Sequence, residues 1–154
     1  MITISFLADH LDTIPTLANW FRAQWPEYHA AMSQEEMEQD FLEDASRNRL
    51  PIRLVAFESN QLVGTIVLRD NGSAMPPELQ PELGGLYVVE SHRNHGIATE
   101  LIRAGMQVAR AQGYETVFAT TVAAAGILER LGWELLQTIV DQQGQTALLY
   151  RCKL

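Results

Sequence analysis

The sequence predicts an α/β fold in which about seven strands are combined with about four helices. Three observations support this class. Residues 83–110 read as a strand, a polar turn and a long amphipathic helix. Residues 52–68 and 133–153 each read as two strands joined by a short polar turn. The N-terminal part adds one strand and two helical patterns. With 154 residues, the chain is expected to form a single domain over 1–154.

The first elements follow from local patterns. Residues 2–8 predict a strand, and Asp12 or Thr13 is expected to cap a helix that has Pro15 in its first turn. Ser33 and Glu36 form a capping box for a second helix. Apolar residues at helical spacing predict the buried faces of these two helices: Ile14, Leu17, Ala18, Phe21 and Trp25 in the first, and Met37, Phe41 and Ala45 in the second.

The middle of the chain predicts a hairpin and then a loop. Residues 52–57 and 62–68 are the hairpin strands, and prolines at 76, 77 and 81 prevent regular structure over 69–82. The loop leads into an apolar strand at 83–89 that contains Gly84 and Gly85. Paired glycines in a strand indicate a bulge or the close approach of a ligand.

The turn after this strand indicates an anion site. From Gly96 onward an apolar stripe marks a helix, formed by Ile97, Leu101, Gly105 and Val108. The first N–H groups of a helix have no partner within it and attract phosphate. Gly96 leaves the backbone open, Ala98 keeps the helix start narrow, and Arg93 adds donors. The turn matches neither a Walker A loop nor a dinucleotide fingerprint.

The C-terminal elements complete the pattern. Gly113 is expected to end the long helix, and residues 115–121 predict a strand. Residues 123–131 predict a short helix that ends at Gly132. The final hairpin is expected to turn at 142–144.

Composition limits the partners. The formal net charge of −8 disfavours nucleic acid and anionic membranes and is compatible with a cationic amine. No apolar run is long enough to span a membrane, and the N-terminus lacks the features of a signal peptide. The single cysteine, Cys152, fits a reducing compartment, so a cytoplasmic location is expected.

The turn Arg93-x-x-Gly96-x-Ala98, in its strand–turn–helix setting, resembles the pyrophosphate loop of the GNAT acyl-CoA N-acyltransferase superfamily. The resemblance covers nearly the whole order of elements. It implies a mixed, mostly antiparallel sheet that splays between strands 4 and 5, with acetyl-CoA or another short acyl-CoA as co-substrate. The implied acyl-CoA contacts are Tyr87, Val88, Val89, Arg93, Asn94, His95, Gly96, Ile97, Ala98, Thr99, Thr121 and Leu128. The backbone N–H of Val88 or Val89 would hold the thioester oxygen.

A second segment resembles the family and departs from it. Residues 129–133 match the end of a short helix that closes with Gly-Phe/Trp in many members. Thr121 stands where many members have Asn, and Leu128 stands where many have the Tyr that protonates the leaving thiolate. Leucine cannot donate a proton. This permits a slower enzyme, an enzyme with another donor (Thr120, Thr121 or Tyr87), or an acyl-CoA-binding module without catalysis.

The resemblance also suggests the remaining roles. Glu82 is the first candidate for the general base, ahead of Glu78, while Glu90 is expected to be solvated. Trp25, Tyr28 and His29 are candidate acceptor contacts, alongside the alternative that they are core aromatics and a solvated histidine. His92 and His95 lack an evident third ligand, so no metal is expected.

The expected function is acyl transfer to a primary amine of a small molecule or peptide by direct attack, in a monomer or homodimer. The alternatives are a non-catalytic acyl-CoA-binding or regulatory module, suggested by Leu128, and an interaction domain that keeps only the fold.

Overall fold

Within the part of the chain that the structure describes, seven strands form one sheet in the order β1-β2-β3-β4-β5-β7-β6. The computed structural model describes residues 1–70, 76–140 and 144–154, apart from the side chain of Tyr28. The strands are β1 (Ile2–Phe6), β2 (Ile52–Glu58), β3 (Gln61–Arg69), β4 (Glu82–Val88), β5 (Thr116–Thr121), β6 (Glu134–Val140) and β7 (Thr146–Lys153). Strands β4 and β5 pair in parallel, and the other pairs are antiparallel. The predicted mixed, mostly antiparallel sheet is confirmed.

Among the described residues, four helices longer than one turn pack on the sheet, as predicted. They are α1 (Ile14–Gln24), α3 (Gln34–Glu43), α4 (Ile97–Ala111) and α5 (Ala125–Arg130), and the single-turn helix α2 (Pro26–His29) follows α1. Short 3-10 turns occupy Leu7–Asp9, Leu11–Thr13, Pro77–Leu79 and Glu90–His92. Within the described ranges, no helix combines the length and apolar character needed to cross a membrane.

The sheet separates two apolar cores because successive side chains of a strand point to opposite faces. In β2, Leu54 and Ala56 belong to the core that contains Leu101 of α4. Val55, between them, belongs to the second core, which contains Phe21 of α1 and Phe41 of α3. Helices α1 and α3 therefore cover one face of the sheet, and α4 covers the other.

The sequence-based boundaries need four corrections. The first strand ends at Phe6, because the next residues turn into a 3-10 helix. Thr13 precedes α1, but its hydroxyl donates to the His10 carbonyl at 2.7 Å and does not cap the helix. Ala45 lies beyond the end of α3, where the Asp44 carbonyl accepts a hydrogen bond from Arg53 N at 3.1 Å. In α4, Val108 is only partly buried, and Ile102 and Ala109 complete the buried stripe.

The capping box of α3 is confirmed. The Glu36 N–H donates to Ser33 Oγ at 3.1 Å, and the Ser33 N–H donates to Glu36 Oε1 at 3.0 Å. Residues 71–75 of the predicted loop and residues 142 and 143 of the predicted turn lie outside the described residues.

Strand β4 carries the predicted bulge. Its pairing with β3 passes from Tyr87 opposite Thr65 to Gly84 opposite Val67, so two residues of β4 face one residue of β3. Gly85 takes a φ of +56°, which glycine adopts without strain.

Strands β4 and β5 diverge beyond one paired position, Glu82 opposite Phe118, where Phe118 N donates to Pro81 O at 2.9 Å. The strands therefore open toward the end of β4 at Val88.

Candidate functional site

An open groove of about 1830 Å³ runs along the divergence of β4 and β5. At one end lies the turn before α4, where Arg93, Asn94 and Gly96 contribute. At the other end lie residues of α1 and α3, including Phe21 and Phe41. The second half of β4 lies between these ends, so both faces of the sheet contribute to one groove.

The turn before α4 exposes backbone to this groove. Asn94 and Gly96 have φ angles of +66° and +84°, and a Cβ at residue 96 would meet nothing within 4 Å. The Glu100 N–H already bonds to Gly96 O at 3.1 Å. The three preceding N–H groups of the helix, at Ile97, Ala98 and Thr99, have no acceptor within the helix. This is suitable geometry for a phosphate.

Arg93 fastens the turn to the end of β4. Its Nε donates to the Val88 carbonyl at 2.8 Å, and its guanidinium carbon lies 5.6 Å from the centre of the Tyr87 ring. Since Arg93 is exposed and lines the groove, its terminal nitrogens are placed at the mouth of the candidate phosphate site.

The backbone of β4 distinguishes the two valines proposed for the thioester oxygen. The Val89 N–H donates to Val63 O on β3 at 2.9 Å. Because N–H groups along a strand point alternately to its two sides, the Val88 N–H points away from β3 and toward the opening. The geometry therefore favours the N–H of Val88 over that of Val89 as the donor to the thioester oxygen.

Most residues implied by the resemblance lie together. Those that line the groove are Tyr87, Val88, Arg93, Asn94, Gly96, Ile97, Ala98, Thr99, Thr121 and Leu128. His95 is exposed, with its ring centre 6.5 Å from that of His92.

Leu128 and Thr121 lie on the β5–α5 side of the groove. The Leu128 side chain is buried and packs in the core beneath α4. The Thr121 hydroxyl oxygen accepts a hydrogen bond from the Ala124 N–H at 2.8 Å, which orders the approach to α5. A hydroxyl of this kind can still donate its own hydrogen.

Glu82 is buried at the closed end of the divergence. Its Oε1 accepts from Arg69 Nε at 3.1 Å and Nη2 at 3.0 Å, and its Oε2 accepts from Thr120 Oγ1 at 3.3 Å. Six residues at about 3.3 Å each place it roughly 20 Å along β4 from Val88. At this distance a proton cannot pass directly from an amine beside Val88 to Glu82. The two predicted catalytic groups, the Val88 N–H and the Glu82 carboxylate, are therefore too far apart to contact the same reacting atoms.

The α1 side of the groove is aromatic. Phe21 and Trp25 have ring centres 4.9 Å apart, and the Tyr87 ring lies 6.2 Å from Trp25 and stacks at 5.0 Å on Trp20. His29 also lines this part. Of the predicted acceptor contacts, Trp25 and His29 are therefore in the groove, and the Tyr28 side chain lies outside the described atoms.

Burial lowers the pKa of His29. The Asp40 carboxylate, which also lines the groove, raises this pKa, and Arg22 lowers it further. The net direction is downward, so burial outweighs the attraction of the carboxylate.

Sequence reasoning missed Arg53, which is only 4% exposed and whose guanidinium packs against the aromatic rings of both Phe21 and Phe41. Its Nε donates to Asp44 Oδ2 at 2.9 Å, and its Nη1 donates to Thr65 Oγ1 at 3.1 Å. The sequence did contain a signal for this residue, since Arg53 is the single charged residue in the apolar run 52–57. A charge in a buried strand needs a partner, so a buried ion pair could have been predicted there.

The part of the chain that the structure describes contains no group of three or more His, Cys, Asp or Glu side chains able to hold a metal ion.

Comparisons with known proteins agree with this geometry. The model of the acetyltransferase (GNAT) family matches residues 14–133. No curated protein matches the sequence.

Solved structures share the fold at low identity. An aminoglycoside 6'-acetyltransferase type Ii is 21% identical with a TM-score of 0.74, covering 98% of this chain and 96% of its own. An aminoglycoside 6'-N-acetyltransferase complexed with coenzyme A is 19% identical with a TM-score of 0.73 and the same coverage. A ribosomal-protein-alanine N-acetyltransferase from Brucella melitensis is 22% identical with a TM-score of 0.75, covering 100% and 99%.

The family match extends from α1 to the end of the second resembling segment and includes the turn before α4. The predicted superfamily, and with it acetyl transfer from acetyl-CoA, is confirmed. The chain belongs to the acetyltransferase (GNAT) family.

Proposed function

We propose that this enzyme moves an acetyl or other short acyl group from acyl-CoA to the primary amine of a small molecule or peptide, by direct attack within the groove. The observation that carries the proposal is the continuity of the groove. The open turn at Gly96, the strand end at Val88 and an aromatic wall line the same groove. The aromatic wall consists of Phe21, Trp25 and Tyr87. A donor and an acceptor bound at its two ends would meet beside β4.

The chain's own residues suit the acyl-CoA in two places. The N–H groups of residues 97–99 and the Arg93 guanidinium would hold the pyrophosphate. The Val88 N–H would donate to the thioester oxygen as negative charge develops there. His95 is exposed at the edge of the turn, and it would contact the acyl-CoA only from there.

The proposed transfer is balanced without a covalent enzyme intermediate. The neutral amine nitrogen forms a bond to the thioester carbon, and the carbon–sulfur bond breaks with its electron pair going to sulfur. The amine loses one proton to reach its neutral form and a second after attack. The thiolate takes up one proton, so one proton is released overall.

Water in the open groove is the direct route for these protons. Glu82 remains our candidate base only as the terminal acceptor of a water chain, since Arg69 and Thr120, which contact its carboxylate, line the groove. Thr120 and Thr121 are the hydroxyl candidates for returning a proton to sulfur, because Leu128 has none to give.

The names of the structural neighbours supply acceptor candidates. The names mention aminoglycosides and the alanine of a ribosomal protein, and either class is a starting point for a screen of amine acceptors. We propose no nucleic acid or membrane as a partner, given the net charge of −8, and a monomer or homodimer as the assembly.

A second candidate is an acyl-CoA-binding or regulatory module without turnover. Leu128 favours it, because general-acid help is worth about 10²–10⁴-fold in rate.

Thermal unfolding with acetyl-CoA, followed by a turnover assay, tests both candidates. At a hundredfold excess over its dissociation constant, a ligand stabilises the native state by about 2.7 kcal/mol. For a chain of this size that shifts Tm by roughly 5–11 °C. Stabilisation with thiol release in the presence of amines supports the enzyme, and stabilisation without thiol release for any amine supports the module. No stabilisation at millimolar acetyl-CoA would contradict both.

A further inference from the structure

Two guanidinium groups lie against the paired glycines of β4. A Cβ on Gly84 would lie 2.7 Å from Arg69 Nη2, and a Cβ on Gly85 would lie 3.1 Å from Arg53 Nη2. Any other residue at these two positions would displace the guanidinium groups. The absence of side chains at the bulge therefore leaves room for the guanidinium groups of Arg53 and Arg69. Both arginines line the groove.

Each arginine keeps donors that the protein does not use. Arg53 engages Asp44 through Nε, and Thr65 and, at 3.5 Å, the Gly85 carbonyl through Nη1. Arg69 engages Glu82 through Nε and Nη2. Among the described residues, Arg53 Nη2 and Arg69 Nη1 have no hydrogen-bond partner in the protein. Arg53 Nη2 is not one of the buried polar atoms without a partner, so it keeps contact with the open groove that Arg53 lines. Donors that face the groove and are not used by the protein are available to a ligand.

The two positive charges also act on each other. Burial is the largest cause lowering the pKa of Arg53, Asp44 opposes it, and the charge of Arg69 lowers this pKa further. An anion beside the bulge would offset both the burial and the repulsion. A carboxylate suits this place, because its two oxygens can accept from two guanidinium groups at once.

We propose that the acceptor carries a carboxylate that Arg53 Nη2 and Arg69 Nη1 bind beside Gly84 and Gly85, so that the acceptor class is amino carboxylates. This inference rests on the proposed function. The bulge precedes Val88 by only a few residues of β4, so a carboxylate held there leaves the amine of the same molecule within reach of the thioester. The aromatic wall would accommodate the connecting chain.

The first test is a turnover assay with acetyl-CoA and linear ω-amino acids of increasing length, from glycine to 6-aminohexanoate. Each is compared with its amide and with the alkylamine that lacks the carboxyl group. We expect kcat/KM for the best amino acid to exceed that of its amide by about tenfold or more, mainly through KM, as charged hydrogen bonds typically provide. Equal or better turnover of the amides or alkylamines would overturn the inference and leave the transferase intact.

Arg69→Lys is the variant for this assay. Lysine keeps a positive charge for Glu82 but lacks the second nitrogen of the fork. The preference for the carboxylate should fall severalfold, with KM for acetyl-CoA unchanged. Arg103→Lys, at an exposed arginine of α4 that pairs with Glu100 and does not line the groove, is the matched control and should keep the preference. Arg53 itself is too deeply buried for a substitution that leaves the fold unaffected.

A binding measurement separates this inference from the proposed turnover. In the presence of saturating CoA, 6-aminohexanoate should raise the Tm of the wild-type protein more than its amide does, and Arg69→Lys should abolish the difference. No difference in the wild-type protein overturns the carboxylate site. Stabilisation by CoA without thiol release from any amine overturns the proposed enzyme. No stabilisation by CoA and no thiol release would overturn the proposed enzyme and this inference together.

Discussion

We expect the side chain of Leu128 to limit the rate of the proposed acyl transfer. It is 3% exposed and lines the groove on the side opposite the β4 backbone. An apolar group at this place excludes water without supplying a proton to the leaving thiolate. The chain therefore keeps the shape of the site while the proton must come from elsewhere.

Leu128→Tyr should raise kcat by about a hundredfold, the low end of what a positioned general acid supplies. The larger ring in a packed core should also lower the free energy of unfolding by about 1–3 kcal/mol. Leu128→Phe is the matched control, with the same ring and no hydroxyl. Steady-state kinetics with acetyl-CoA would separate the two effects. Equal kcat for the Tyr and Phe variants would mean that protonation of sulfur does not limit turnover.

At the scale of the element, each end of α4 has a glycine in the left-handed conformation, but only one of the two ends lies at the groove. Gly96 begins the helix with a φ of +84° at the groove, and Gly113 follows its end with a φ of +90°. At neither position would a Cβ meet an atom within 4 Å. At the far end, the Tyr114 N–H returns to the Ala109 carbonyl at 3.1 Å, which closes the helix.

Gly96→Glu should remove measurable CoA binding, because a carboxylate would occupy the place proposed for the pyrophosphate. Gly113→Glu introduces the same charge at a position with a similar positive φ, but at the far end of the helix. It should leave CoA affinity unchanged. Both variants should lose about 1–2 kcal/mol in the free energy of unfolding. Calorimetric titration with CoA and urea unfolding would test this. Retained affinity in a folded Gly96→Glu protein would refute the phosphate assignment.

At the scale of the whole molecule, the local patterns were the predictable part. Strand and helix periodicity and the capping box at Ser33 depend on neighbours within a few residues, and the order of elements followed from them. The pairing of Arg53 with Asp44 links β2 to the end of α3 and depends on how α3 packs against the sheet. Likewise, the contacts of Glu82 with Arg69 and Thr120 depend on how β3 and β5 flank β4, whereas its distance from Val88 follows from the length of that strand.

The pH dependence of stability is a property of the whole fold to which His29 contributes. Burial lowers its pKa in the folded state below the usual value near 6.5. The unfolded chain then binds the proton more tightly, so the contribution of His29 is fully present above pH 6.5 and is lost as the pH falls through the lowered pKa. The free energy of unfolding should therefore decline from pH 7 toward pH 5.

Urea unfolding at several pH values would measure this slope. His29→Gln should flatten it, since the titrating group is removed. Asp40→Asn should enlarge the decline, because the Asp40 carboxylate opposes the effect of burial and its removal lets the His29 pKa fall further. A His29→Gln variant whose free energy of unfolding runs parallel to that of the wild-type protein over this range would show that His29 does not carry the dependence. Exposed carboxylates such as Glu36, whose pKa is lowered by its hydrogen bonds to Ser33, act only at lower pH, so the two contributions can be separated.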